Sequence, residues 1–466
     1  METTDQGKNR ENPLGAEPVG SLLRKYAIPS ILAMLVGSLY NIVDQFFIGQ
    51  YVGQLGNAAT NIAFPFSTSC VAISLLFGIG GASNFNLALG RGKQDRARGY
   101  MGTAVALAAV SGLALAVFAE VLLRPVLLFF GSSQAILPYA MDYTRITAIG
   151  FPALIMSTVG AHLIRGDGRP QISMVCNMTG AVLNIFLDAW FMISFGWGMK
   201  GAALATILGQ YISCGLAVWF LAHGKTVRLR PRDLVPRAAS ARSILALGVA
   251  PCINQLAMMV VQIVLNNSLR HYGALSVYGA ETAIAVVGIG TKVNMVFMAF
   301  VIGMSQSLQP IASFNYGAGK YDRVREAYRR AVTVGAVMAV LSWALFFFFP
   351  RQIIGLFGRG ENELYYTFAV RYFRIYLFFT LINFMQPITS NFFTALGRAR
   401  IGAFLSLTRQ ILFLLPLIVI LPVFFGIDGL MFAGPCADLM AAAASAFFVF
   451  RLFRELKERE KSTEAG

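Results

Sequence analysis

Twelve stretches of mostly apolar residues follow one another along this chain, each long enough to cross the ~30 Å hydrocarbon core of a bilayer. We place them at residues 26–49, 57–88, 100–122, 138–163, 171–196, 201–222, 244–269, 279–311, 329–349, 364–394, 401–424 and 429–450. The charged fraction is 13%, against about 25% in soluble proteins. In lipid every backbone polar group needs an internal partner, which a helix supplies. The sequence therefore predicts an all-α polytopic membrane protein with twelve transmembrane helices.

A nine-residue sequence occurs twice in the chain. Gly90-Arg-Gly-Lys-Gln-Asp-Arg-Ala-Arg98 returns 227 positions later as Gly317-Ala-Gly-Lys-Tyr-Asp-Arg-Val-Arg325, with six of nine positions identical. Shorter echoes are Gly168-Arg169 with Gly397-Arg398, and Gly198 with Gly426. A repeat of about half the chain length indicates a duplicated half with six spans. Because six is even, both halves have the same orientation, and we predict two six-helix lobes related by a pseudo-two-fold axis along the membrane normal, with a substrate cavity between them.

The longest polar connection lies between the sixth and seventh stretches and contains six basic residues and two prolines. This composition is typical of a solvated linker. It divides the chain into five predicted segments: an N-terminal segment at 1–25, an N-lobe at 26–222, an interlobe linker at 223–243, a C-lobe at 244–450 and a tail at 451–466.

The net charge of +16 follows the membrane topology. The N-terminal segment, the tail and the connections on their side, here called the basic side, carry 28 Lys and Arg. The opposite side carries five: Arg124, Lys200, Arg270, Arg351 and Arg359. The positive-inside rule then predicts cytoplasmic termini for a multi-pass protein of the inner (plasma) membrane. Anionic lipid, rather than nucleic acid, is the expected partner of this charge.

Polar and charged residues inside the first six spans form one candidate site. They are Asn41, Asp44, Tyr143, Asn184, Asp188 and Thr206. At 1.5 Å per residue, Asp44, Tyr143, Asp188 and Thr206 lie roughly 8–12 Å below the opposite surface. Two carboxylates with amide and hydroxyl oxygens suit Na⁺, and two crowded acids can equally hold a proton. The structural alternative is that these groups only hydrogen-bond the helices together, but acids within a membrane are functional candidates by default.

The second half carries a different charged set, Lys292, Arg409 and Asp438. Lys292 and Asp438 each lie about ten residues from the opposite surface, close to the midplane. Unpaired charges at this depth are costly, so we expect an ion pair or triad that is either structural or part of a conformational switch. His162, near the basic end of the fourth span, is expected to be a packed imidazole rather than a proton relay.

Several motifs occur in a fixed order. They are Val43-Asp-Gln-Phe-Phe-Ile-Gly49, the duplicated loops, Arg165-Gly-Asp-Gly-Arg169, Asn184-Ile-Phe-Leu-Asp188, Lys200-Gly-Ala-Ala-Leu-Ala-Thr206 and Gly434-Pro-Cys-Ala-Asp438. Together they make the chain, over about residues 20–450, resemble the multidrug and toxic compound extrusion (MATE) family, on its DinF/MepA-like side.

This resemblance implies export of amphipathic, often cationic drugs by antiport with Na⁺ or H⁺. The family's N-lobe cation site falls on Asp44, Asn184, Asp188 and Thr206, with Tyr143 nearby. Another branch of the family has acids in the seventh span, and none occurs here between residues 243 and 270. A C-lobe cation site of that type is therefore not expected. We expect a monomer without a resident cofactor or metal.

Two other functions are weighed against drug export. A flippase for lipid-linked saccharides shares the general architecture, but a pyrophosphate cargo calls for several basic cavity residues, whereas the N-lobe cluster is acidic. A membrane enzyme would need a motif that the sequence does not contain, such as an Asp-rich Mg²⁺ motif, a metalloprotease His-Glu pair or a serine–histidine set.

Overall fold

The computed structural model describes residues 12–356 and 363–464. Arg359 lies outside these residues, as do the outermost residues of the predicted N-terminal segment and tail. Twelve helices are long and apolar enough to cross a bilayer. They are α1 (Val19–Tyr51), α2 (Gln54–Gly90), α3 (Gln94–Val121), α4 (Leu137–Gly166), α5 (Pro170–Ser194), α6 (Gly198–Ala222), α7 (Ala238–Ala274), α8 (Ala280–Gly317), α9 (Tyr321–Phe348), α10 (Glu363–Ala395), α11 (Ala399–Phe425) and α12 (Ile427–Glu464). The predicted twelve-helix fold is confirmed, and the described part of the chain contains no strand.

Short helices and local breaks accompany the spans. The short helices are Pro13–Ala16, Leu123–Phe129, Pro231–Leu234 and Pro350–Leu356. Two spans contain π-helical turns, at Trp190–Ser194 in α5 and at Thr408–Leu414 in α11. Such wide turns change the direction in which the following side chains point and are frequent at functional sites.

The duplication is visible in the backbone of the two lobes, α1–α6 and α7–α12. Gly92 and Gly319, the second glycines of the duplicated loops, have φ of 72° and 76°, a region that residues with a side chain rarely adopt. The same backbone bonds end both helices, because Lys93 N donates to Ala88 O and Lys320 N donates to Asn315 O, each at 2.9 Å. Each loop thus closes its helix with a glycine-dependent C-terminal cap.

The lobes meet through backbone contacts between α2 and α7 on the basic side. A Cβ atom on Gly80 would lie 2.2 Å from the Ile244 carbonyl oxygen, and one on Gly248 would lie 1.8 Å from the Leu76 carbonyl oxygen. No side chain fits at either position. Small residues allow such close helix approach within a membrane, and here they seal the two lobes together near the basic surface.

The first glycines of the duplicated loops form a second contact of this kind, between α2 and α8. A Cβ atom on Gly90 would lie 2.1 Å from the Phe314 carbonyl oxygen, and one on Gly317 would lie 2.5 Å from the Leu87 carbonyl oxygen. Each glycine therefore packs against the helix that carries the other. The loop glycines of both lobes close the interlobe contact on the basic side.

The N-terminal segment adds a bridge on this side. The short helix Pro13–Ala16 lies against the second duplicated loop, where Lys320 Nζ donates to Gly15 O at 2.9 Å and Arg323 Nη2 donates to Glu17 O at 2.5 Å. The matching Lys and Arg of the first loop are exposed. The two copies of the loop thus differ in use: the second holds a segment that leads into the other lobe.

Candidate functional site

Two buried acids lie in direct contact in the N-lobe. Asp44 of α1 and Asp188 of α5 are 7% and 0% exposed, and their side chains are close enough to interact with each other. Two ionised carboxylates this close repel each other, so a shared proton or a bound cation stabilises the pair. The Oδ1 atom of each acid is buried and has no partner among the described residues. Such a pair has the chemistry to bind a proton or another small cation.

Three further residues surround the acid pair. With the Asn184 amide oriented to satisfy both of its polar atoms, its nitrogen donates to Asp188 Oδ2 at 2.9 Å, and its oxygen accepts from the Thr206 backbone N at 3.1 Å and hydroxyl at 3.2 Å. The Tyr143 hydroxyl lies close enough to interact with Thr206. Helices α1, α4, α5 and α6 thus each contribute to one polar cluster. Its carboxylate, amide and hydroxyl oxygens are the ligands that a hard cation prefers.

Asn41 does not belong to this cluster, contrary to the sequence-based expectation. Its side chain is exposed, and its amide donates to the Gly37 carbonyl oxygen at 2.7 Å. Tyr40, four residues before Asp44, lies instead on the face that points toward the site and lines the cavity described below. Residues three and four positions away both neighbour Asp44 along the helix, so spacing did not decide which of them faces inward. The aromatic side chain of Tyr40, the residue four positions before Asp44, was the signal in the sequence that could have identified the inward-facing residue.

A cavity of about 370 Å³ lies next to the acid pair, which is connected to it through Asn184, a lining residue that contacts Asp188. Tyr40, Asn184 and Thr206 line its end toward the opposite side, and His162 and Arg165 of α4 line its end toward the basic side. Further lining comes from α2, α7 and α8. The volume is in the range of small-molecule sites, and we call this space the N-lobe cavity.

The C-lobe charges form a pair rather than the expected contact with Lys292. Arg409 Nε lies 2.5 Å from Asp438 Oδ1; the Asp438 side chain is buried and the Arg409 side chain is 14% exposed. Lys292 is exposed and makes no ion pair with any residue that the structure describes. The expected ion pair is therefore present, formed by Arg409 and Asp438, and the expectation that Lys292 takes part in it was wrong. Equal depth says nothing about direction around the helix axis, and Arg409 lies on the π-helical turn of α11, which directs it toward α12.

The C-lobe pair occupies positions that correspond to part of the N-lobe cavity wall. The two halves can be aligned through their repeated motifs. Matching Arg169 with Arg398 places Arg409 opposite Gly180. Matching Gly198 with Gly426 places Asp438 opposite Gln210. Gly180 and Gln210 both line the N-lobe cavity. A guanidinium and a carboxylate thus occupy the C-lobe positions where the N-lobe has a glycine and an amide at its cavity wall.

Sequence reasoning missed part of the cavity lining. Arg165 was counted as a residue of a connection, yet it lines the N-lobe cavity; His162 is a packed imidazole as expected, but it also borders that cavity. Gln210 and Gln306 were not considered; each has a buried side-chain oxygen without a hydrogen-bond partner in the described part of the chain. The spacing of His162 and Arg165, three residues apart on one helix face, was a detectable signal.

Comparison with a family model gives two matches in this chain. The MatE model matches residues 29–190 and again residues 251–420. Both matches begin at a proline within the first helix of a lobe, α1 or α7. Two matches in succession agree with the duplicated halves seen in sequence and backbone.

Individual proteins match over almost the full length. The chain is 24% identical to the FAD transporter of Shewanella oneidensis, covering 98% of this chain and 100% of that protein. It is 23% identical to the multidrug export protein MepA of Staphylococcus haemolyticus, covering 92% and 93%. A solved outward-facing structure of a multidrug resistance MATE family transporter of the MOP superfamily superposes with a TM-score of 0.88 at 21% identity, covering 96% and 98%. That structural likeness shows the shared two-lobe fold.

Proposed function

Because the chain belongs to the MATE family of transporters, we propose that it is a secondary active multidrug efflux transporter that exports amphipathic, often cationic compounds in exchange for Na⁺ or H⁺. The observation that carries this proposal is the buried Asp44–Asp188 pair at one end of the N-lobe cavity. A cation site and a drug-sized space are thereby neighbours. Relatives named for multidrug export support the substrate class.

Coupling follows from the chemistry of the acid pair. With a proton or Na⁺ bound, the pair has less negative charge; without it, two adjacent carboxylates repel each other and attract a cation. A cationic group in the cavity and a small cation at the acids therefore compete for the same negative charge. Asn184 contacts both Asp188 and Thr206. Because Asn184 and Thr206 also line the cavity, they lie between the two proposed ligands.

Alternating access is the proposed way in which the cavity changes sides. The basic side is proposed to be the cytoplasmic side of the inner membrane, by the excess of 28 to five basic residues. In this structure the lobes are packed together there through the glycines of α2, α7 and α8. Separation of these helices would connect the N-lobe cavity with the cytoplasm. We propose that a monomer carries out the whole cycle without a resident cofactor and without enzymatic activity.

Two other kinds of cargo, FAD and lipid-linked molecules, are compared with drugs in the experiment described below. One relative is named for transport of FAD, and lipid flippases share the general architecture. The acid pair favours a cargo with a cationic group over a pyrophosphate-linked lipid. Export of FAD or of a lipid analogue in place of drug-like dyes would replace the proposed substrate class.

Dye efflux from proteoliposomes tests the proposal. The purified protein is reconstituted, loaded with a cationic dye, and given either a Na⁺ gradient or a pH gradient, one at a time. We expect one of the two gradients to drive efflux and the other to have no effect beyond that of empty liposomes. Efflux that neither gradient drives, combined with movement of FAD or a lipid analogue, would contradict drug antiport.

A further inference from the structure

The two ends of the N-lobe cavity differ in charge. Asn184 and Thr206 form one end, with the acid pair directly behind them. Arg165 and His162, one turn apart on α4, form the other end. These two basic side chains are 3% and 4% exposed. The cavity thus runs from an acidic end to a basic end, and residues of the N-lobe form both ends.

Arg165 has no counter-ion among the described residues. Its Nε and Nη1 atoms have no hydrogen-bond partner, and Nη2 donates only to the Ser173 hydroxyl at 3.4 Å. The acid two positions away, Asp167, is engaged elsewhere: it pairs with Arg169 at 3.1 Å and accepts from the Lys225 backbone N at 2.6 Å. A buried guanidinium without a counter-ion is costly, and within a membrane such a group is a candidate for ligand binding.

His162 extends the basic end of the cavity. Its Nδ1 atom is buried and has no partner in the described part of the chain. The ring is fixed by close approach of α2, since a Cβ atom on Gly78 would lie 2.8 Å from it. Beside this imidazole, the guanidinium of Arg165 offers parallel N–H groups, a geometry that matches a carboxylate or a phosphate. Unpaired buried nitrogens on one cavity wall therefore point to an anionic ligand group.

We propose that Arg165, with His162, forms an anion subsite that binds a carboxylate or phosphate group of the transported compound. This subsite rests on the proposed function, because it assigns one end of the same cavity to the cargo. The preferred cargo is then an amphipathic compound with an acidic group at one end and a cationic group at the other. A purely cationic dye leaves the buried guanidinium without a counter-ion and binds more weakly.

The dimensions of the cavity fit such a compound. Its wall on α4 extends from Leu154 to Arg165, eleven residues, which corresponds to ~16 Å along the helix. A drug-sized molecule can place groups at both ends over this distance. A pyrophosphate-linked lipid is a poorer fit, because one guanidinium and one imidazole supply fewer donors than its charge requires.

A matched pair of probes tests the subsite by equilibrium binding to the full-length protein in detergent. One probe is a rhodamine with a free benzoate carboxylate, and the other is its methyl ester, which keeps the same cationic fluorophore. We expect fluorescence anisotropy to show that the acid binds about tenfold more tightly, the effect of one charge-assisted hydrogen-bonded contact. Equal affinities for acid and ester in the wild-type protein would overturn the proposal.

Variants at the same end of α4 locate the preference. Arg165→Gln should remove the preference for the acid while leaving the affinity for the ester unchanged. Arg169→Gln is the control, since it removes the same charge but from a residue that pairs with Asp167 and does not line the cavity. It should preserve the preference. The assignment would be contradicted if both variants lost the preference for the acid, or if Arg165→Gln kept it.

A third variant covers the case in which Arg165→Gln folds poorly. Arg165→Lys keeps the charge but loses the paired N–H groups, so the acid preference should fall without vanishing. Failure of the subsite and failure of drug antiport also give different results. Gradient-driven efflux with equal binding of acid and ester removes the subsite alone, whereas an acid preference without efflux removes antiport and leaves the subsite.

Discussion

At the scale of single residues, the proposed function depends mainly on the proximity of Asp44 and Asp188. Two neighbouring carboxyl groups away from water repel each other when both are ionised, so a proton or a cation stabilises the pair. The pair sits at the end of the N-lobe cavity rather than in the interlobe packing. Its charge state therefore acts directly on whatever occupies the cavity.

Replacing either acid by its amide should uncouple transport. In Asp44→Asn and Asp188→Asn the shape and much of the hydrogen bonding persist, but the charge that holds the cation is lost. We expect each variant to lose at least about tenfold in gradient-driven dye efflux, with thermal stability in detergent close to wild type. The matched control is Asn41→Ala, on the same helix but with an exposed side chain. Normal efflux in both acid variants would make the pair structural.

The C-lobe pair is expected to contribute to stability. Arg409→Met leaves Asp438 buried without its partner, which costs about 3–5 kcal/mol in soluble proteins. The melting temperature should fall clearly, and adding Asp438→Asn should restore part of it. Lys292→Met, whose side chain has no ion pair with a described residue, should melt like the wild type. If the loss of melting temperature in the double variant equals the sum of the losses in the two single variants, the two residues are not coupled.

At the scale of helices, glycine placement decides how closely the lobes pack. Gly80, Gly248, Gly90 and Gly317 each meet a carbonyl oxygen of the other lobe at a distance that no Cβ atom tolerates. These contacts lie on the basic side, on three helices. A helix pair held this closely has few intermediate arrangements, so closing and opening of this side should be an all-or-none step.

A side chain at one of these glycines should favour the state in which the basic side is open. In Gly317→Val the new methyl groups would meet the Leu87 carbonyl oxygen of α2. Spin labels on Arg96→Cys and Lys457→Cys, in a background without the five native cysteines, should then report a longer interlobe distance by pulsed EPR. Gly288→Val, on the same helix but facing open space, should leave the distance unchanged. Equal distances in the two variants would contradict a role for the glycine contact.

At the scale of the whole molecule, antiport requires that cation and cargo oppose each other. Such antagonism is a coupling free energy and is reciprocal: the cation weakens dye binding by the same factor as the dye weakens cation binding. The acid pair beside the cavity is where both act on one negative charge. In the proposed cycle, this local competition decides on which side the two lobes open.

Dye affinity in detergent should therefore depend on the coupling cation. Adding Na⁺, or lowering the pH, should weaken dye binding, because a bound cation or proton removes negative charge near the cavity. Asp44→Asn should flatten this dependence. Titration of the dye by fluorescence at several Na⁺ concentrations and pH values measures both effects. A wild-type affinity that responds to neither cation would argue against antiport.

The sequence by itself determined the class of fold, the number of spans and the duplication. These follow from properties that act along one dimension: the length of apolar segments, the distribution of Lys and Arg, and the recurrence of the loop that begins at Gly90 and again at Gly317. The family resemblance is confirmed by the two matches of the MatE model. The depth of Asp44 and Asp188 also came from counting residues at a constant helical rise.

Only the tertiary structure decided which side chains meet. Depth along a helix does not give direction around its axis, so Tyr40 rather than Asn41 faces the acid pair, and Arg409 rather than Lys292 holds Asp438. The π-helical turn in α11 further alters that direction locally. The basic end of the N-lobe cavity could not be predicted from the sequence for the same reason. Whether Arg165 reaches solvent or is enclosed without a counter-ion depends on how neighbouring helices pack, and the sequence of one span does not determine that packing.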